Sequence, residues 1–166
     1  MKIESNLKSL NIVLPEIKPA QTLFKPYLVT GKTVYIGDQL VSAKTVYISG
    51  QLPTGFGDIA QHVGQLGKDC DIEKAKNIAH ICGLNVIAQL KEACGGNLDK
   101  VKKCAKLTIF VNSAANFTEQ PAIANAVSDL MLKVFGDAGN HARSAIGVSQ
   151  LPFGVAVEVE AIFEIE

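Results

Sequence analysis

The chain has 166 residues, 48% of them hydrophobic and 19% charged, with sixteen basic and sixteen acidic side chains and a formal net charge of zero. That length fits one domain over residues 1–166, and the composition allows a buried core, which excludes a disordered chain. No run approaches the roughly 20 apolar residues of a membrane span, and Lys2, Glu4, Lys8 and Glu16 break up the first segment, so a soluble cytoplasmic protein without membrane contact is expected.

Ile3, Leu7 and Leu10 recur at helical spacing, and Pro15 to Pro19 then implies an extended arm, so residues 1–22 read as a peripheral helix and arm. From Tyr27 the chain is rich in Val, Tyr, Ile and Thr and predicts a strand over Tyr27–Thr30 followed by a turn at Gly31-Lys32. Two near-copies come next. Lys32–Leu40 (KTVYIGDQL) and Lys44–Leu52 (KTVYISGQL) agree at seven of nine places with an offset of 12. Asp71 can cap a helix starting at Ile72, in which Ala75, Ala79, Cys82, Val86, Leu90 and Ala93 form an apolar stripe until Gly95-Gly96. Lys103–Asn112 predicts a strand whose Leu107–Val111 run is apolar on both faces. Thr118 opens another helix, with Pro121 tolerated in its first turn, Ile123, Ala126, Val127, Leu130, Met131 and Val134 as its buried face, and Gly136 as its end. Arg143–Gln150 and Val155–Ile165 close the chain as two strands joined by Leu151-Pro152-Phe153-Gly154 and expected to pair.

This order implies an α+β layer of two main helices on one sheet. Two helices cover one sheet face, yet the central strand is apolar on both. A homo-oligomer with sheets packed inward follows as the expectation.

The cysteines at 70, 82, 94 and 104 lack the close pairing of a zinc or redox site and read as buried reduced thiols. His62, His80 and His141 have no ligand-like spacing, and no GxSxG, HExxH, P-loop or GxGxxG pattern occurs, so neither metal nor cofactor is expected. Balanced charge without a basic stripe argues against a nucleic-acid binder. Arg143 remains. It is the only arginine in the chain, and its planar fork can hold a carboxylate through two parallel hydrogen bonds, which lysine cannot reproduce. Glu158 lies fifteen residues on, in a strand read as its neighbour, so the two side chains are expected at one pocket, where the carboxylate can position water or move a proton.

Ser49-Gly50-Gln51-Leu52-Pro53, His141-Ala142-Arg143-Ser144-Ala145, Leu151-Pro152 and Val157-Glu158-Val159-Glu160-Ala161 together resemble the reactive intermediate deaminase (RidA, YjgF-like) family, in particular its longer subgroup labelled endoribonuclease L-PSP. The resemblance runs from Leu23 to the C-terminus. It implies a chorismate-mutase-like fold, a homotrimer, and clefts between subunits in which the arginine, here Arg143, binds the carboxylate of a 2-imino or enamine acid such as 2-aminoacrylate. The glutamate, here Glu158, helps water attack the imine carbon. Ser49 takes the place of the family's serine beside Gly50, whose missing side chain is expected to let the ligand reach the backbone. Phe24 stands where the family usually has Tyr, Ala145 where it often has Cys, and Ala115 where an Asn is expected, with Asn116 one place off. The family's arm runs through a single VYxSGQLP segment, so the second copy carries the function, and residues 33–44 read as an inserted strand or hairpin.

Three functions are therefore weighed. The first is hydrolytic deamination of small imino or enamine acids; the second is a non-catalytic trimer that binds a small carboxylate metabolite or a protein. The third, cleavage of single-stranded RNA, is carried by the subgroup's label alone.

Overall fold

The computed structural model describes residues 2–17, 25–36 and 39–166, with side chains for 2–17, 25–31 and 44–166. In chain order its elements are α1 (Lys2–Ser9), β1 (Tyr27–Ile36), β2 (Gln39–Gln51), α2 (Ile72–Ala93), β3 (Val101–Asn112), α3 (Gln120–Phe135), β4 (Ala142–Val148) and β5 (Val157–Ile165), with short 3-10 turns between some of them.

The ends of these elements follow from local chemistry. The Asp71 carboxylate accepts the Lys74 N–H at 2.8 Å and opens α2, and Gly95 and Gly96 leave the helix at positive φ. α3 starts two residues later than Thr118 because Glu119, at φ −95° and ψ 26°, is its cap; Pro121 then sits in the first turn, where no helical N–H is lost. α1 is pinned at both ends. Asp99 accepts the backbone N–H groups of Lys2 and Ile3 at 2.7 Å each, and the Asn6 amide donates to the Lys133 and Val134 carbonyls at the end of α3, also at 2.7 Å.

The strands form one mixed five-stranded sheet in the order β1-β2-β5-β3-β4, antiparallel throughout except for the parallel β3–β4 pair. α2 and α3 cover one face. Val46 and Ile48 of β2, Leu107, Ile109 and Val111 of β3, and Val157, Val159, Ala161 and Phe163 of β5 are buried there against Ile78, Cys82, Val86, Val127 and Leu130. Burying each larger side chain contributes about 1.5–3 kcal/mol. The four cysteines are free thiols buried in this core, and Cys82 donates to the Val157 carbonyl at 3.4 Å.

The strict in-out alternation expected of β5 is present, while two expectations fail. Gly31 and Lys32 do not turn: they continue β1 opposite Lys44 and Ala43, because the ladder with β2 keeps their backbone groups paired. Residues 32–36 and 39–43 pair with each other beyond Lys44, the residue that meets the last position of β5, Ile165; Gly37 and Asp38 lie outside the described residues. Nor do β4 and β5 pair. β3 lies between them, and the 3-10 turn Pro152–Gly154 carries the chain across it instead of a hairpin. Phe153 passes through that turn at φ 55°.

The face away from the helices carries Leu28, Tyr47 and Ile146 at 55, 48 and 40% exposure, next to half-buried Phe110 and Ile162. Among the described residues, no helix is long and apolar enough to cross a membrane.

Candidate functional site

Arg143 sits on edge strand β4 opposite Leu107, so its side chain leaves the sheet on the helix-covered side, beside α3. There Nη1 donates to Asn125 Oδ1 and to Ser128 Oγ, both at 2.9 Å. Asn125 and Ser128 are three residues apart and so share one helix face. Ser128 Oγ is also 2.9 Å from His141 Nε2, and His141 Nδ1 is 2.7 Å from the Gly139 carbonyl. Both hydrogens of Nη1 are committed to neutral oxygens. Nε and Nη2 keep no hydrogen-bond partner, and no carboxylate pairs with the guanidinium, among the described residues. A half-buried fork without a carboxylate partner among the described residues is suited to an anionic ligand.

Glu158 is built by a different part of the sheet. It pairs with Phe110 and projects from the face opposite the helices. Next to it β2 bulges: Ile48 meets Ala161 and Gln51 meets Val159, so Ser49 and Gly50 together oppose one residue of β5. The Glu158 carboxylate occupies the space that a Cβ on Gly50 would fill. Burial pushes the Glu158 carboxyl above the usual carboxylate range, and the neighbouring Glu160 charge pushes it further the same way. Ser49 donates its hydroxyl to the Lys25 carbonyl at 2.8 Å, while its N–H bonds the Pro26 carbonyl at 3.0 Å, which ties the incoming arm to the bulge.

The structure therefore brings Glu158, Gly50 and Ser49 together and keeps Arg143 apart from them. Arg143 and Glu158 project from opposite faces, two strand spacings or roughly 10 Å apart across the sheet and offset along it, since their partners on β3 are Leu107 and Phe110. One pocket within a single chain, the arrangement expected from pairing β4 with β5, is excluded by the intervening β3. Ala145 shares the Arg143 face of β4 and packs half-buried against the core. Phe24 lies outside the described residues. Ala115 lines an open groove of about 610 Å³ with Gln65, Phe117 and Gln120, and the amide that reaches the arginine is Asn125. Asn125 and Ser128 escaped the sequence reading. Their signal was a pair of short polar residues three apart in the middle of α3, where such residues compete with the helix backbone and need a reason to be present.

Comparisons with known proteins agree with this architecture. A family model described as "YjgF/chorismate_mutase-like, putative endoribonuclease" matches residues 4–163. The chain is 40% identical to protein TCP17 of Trypanosoma cruzi over 165 residues, 99% of this chain and 94% of that protein. It is similar to the solved structure of protein Atu1372 from Agrobacterium tumefaciens, with 37% identity, a TM-score of 0.80, and coverage of 99% of this chain and 94% of that one. It is also similar to a structure from Shewanella oneidensis described as a "putative endoribonuclease", with 30% identity, a TM-score of 0.82, and coverage of 99% and 100%.

Proposed function

The chain belongs to the YjgF/chorismate-mutase-like family, and from that membership we propose that it hydrolyses small 2-imino or enamine acids of the 2-aminoacrylate type at clefts between identical subunits. The observation that carries this reading is Arg143: a lone guanidinium whose Nε and Nη2 have no partner and which no acid neutralises among the described residues, suited to grip a carboxylate through two parallel bonds. Glu158 supplies the proton chemistry. Water adds to the imine carbon as the carboxylate takes one of its protons and passes it to the nitrogen, giving a carbinolamine; the carboxylate then takes the carbinolamine hydroxyl proton and passes it to the nitrogen as the C–N bond breaks, ammonia leaves and the 2-oxo acid forms. Its half-buried position and raised pKa suit a group that must hold and release that proton.

Arg143 and Glu158 face opposite ways, so in this reading each cleft takes its arginine from one copy and its glutamate, with Ser49 and Gly50, from the next. Three copies with their open sheet faces turned inward satisfy that geometry and cover Leu28, Tyr47 and Ile146. Ammonia release from enzymatically generated 2-aminoacrylate tests the reading. Arg143→Ala should lower the rate at least about a hundredfold, since a charged, bidentate contact is lost; equal rates for the two proteins would remove it.

A second reading, a carboxylate-binding trimer without catalysis, needs only the arginine and is the outcome if pyruvate binds but no ammonia appears. RNA cleavage is named by the family description and by the Shewanella relative, but a net charge of zero without a basic stripe in the sequence argues against a dedicated phosphate-neutralising surface.

A further inference from the structure

We infer that Ser128 and His141 are positioning residues for Arg143, locking the guanidinium so that only its Nε/Nη2 edge is offered to a ligand carboxylate. The inference rests on the carboxylate-binding role of Arg143 proposed above. The chain of bonds begins at the Gly139 carbonyl, which can only accept, so His141 Nδ1, 2.7 Å away, carries a proton. In the neutral ring Nε2 is then an acceptor, and at 2.9 Å it takes the Ser128 hydroxyl hydrogen. With its hydrogen drawn toward the histidine, the serine oxygen turns its lone pairs to Arg143 Nη1, and Asn125 Oδ1 takes the other Nη1 hydrogen.

Two consequences follow for recognition. The end-on fork, Nη1 with Nη2, is closed because Nη1 is fully used. The side-on fork, Nε–H with Nη2–H, has no partner among the described residues and is held at a fixed angle, and it matches the two oxygens of one carboxylate. A ligand must therefore bind with its carboxylate plane set by the protein, which favours flat 2-oxo, 2-imino and enamine acids whose reacting carbon adjoins the carboxylate. Lysine at 143 could not be oriented in this way.

Arg143 is the only arginine in the chain, so nitrogen-15 labelling of arginine in the assembled protein reads this group alone. The wild type should show separate Nη1 and Nη2 resonances from slowed rotation, and added pyruvate should move the Nε–H signal downfield. Ser128→Ala should merge the Nη resonances and weaken pyruvate about tenfold, the value of one lost hydrogen bond to a charged group. Ser128→Thr should restore both, and His141→Phe should reproduce part of the loss. Wild-type resonances and wild-type pyruvate affinity in Ser128→Ala would overturn the inference. If pyruvate moves no signal in the wild type while Ser128→Ala still merges the Nη resonances, the positioning holds and the carboxylate reading falls.

Discussion

Gly50 leaves its side-chain space to a carboxylate from another strand. A Cβ there would overlap Glu158 Oε1, the free end of a flexible side chain, so Gly50→Ala is expected to leave the fold intact, within about 1 kcal/mol by thermal melting, because Glu158 can swing away. The same movement displaces the carboxylate from the bulge, so ammonia release should fall at least about tenfold. Normal activity in a well-folded Gly50→Ala protein would show that the observed seat of Glu158 does not matter. At this scale the chain announces some of its chemistry and conceals the rest. Arg143 is visible as a lone guanidinium among fifteen lysines, and Glu158 through the alternation of β5. Asn125 and Ser128 are concealed because a polar pair in a helix does not say what it serves until the strand beside it is known.

Helices and strands were legible wherever periodicity and caps coincide, as at Asp71–Gly96, where the cap, the stripe and the glycine stop all agree with α2. Neighbour relations were not. Nothing in the alternation of β4 or β5 says which strand lies beside which, and a four-residue connection suggests a hairpin unless the turn is known to pass over a third strand. Gly31 misled for a related reason: a glycine that could turn instead stays in the ladder when both flanks are paired. The connection from α3 to β4 holds the most constrained backbone near the site. A Cβ on Gly139 would lie 2.6 Å from the Met131 carbonyl carbon and 3.0 Å from Leu132 Cα, which are rigid helix backbone, and the Gly139 carbonyl orients His141. Gly139→Ala is therefore expected to destabilise the protein by about 2–4 kcal/mol in chemical denaturation. A change under about 0.5 kcal/mol would mean that this connection is not packed as described.

For the whole molecule, the decisive feature is that Arg143 and Glu158 leave the sheet on opposite faces, so the proposed chemistry needs two copies. The repeated KTVYI segments belong to this scale as well: the second supplies the bulge, and the first pairs with the start of β2 beyond the end of β5. The most direct measurement is complementation between two inactive variants, Arg143→Ala and Glu158→Ala, unfolded together in equal amounts and refolded. Each alone should release little ammonia. In the mixture, a cleft that draws its arginine from a Glu158→Ala copy and its glutamate from an Arg143→Ala copy is whole, so random assembly of a cyclic oligomer should restore about one quarter of wild-type activity per site. A mixture that stays as inactive as its parents, although the two variants are shown to assemble together, would contradict the shared cleft.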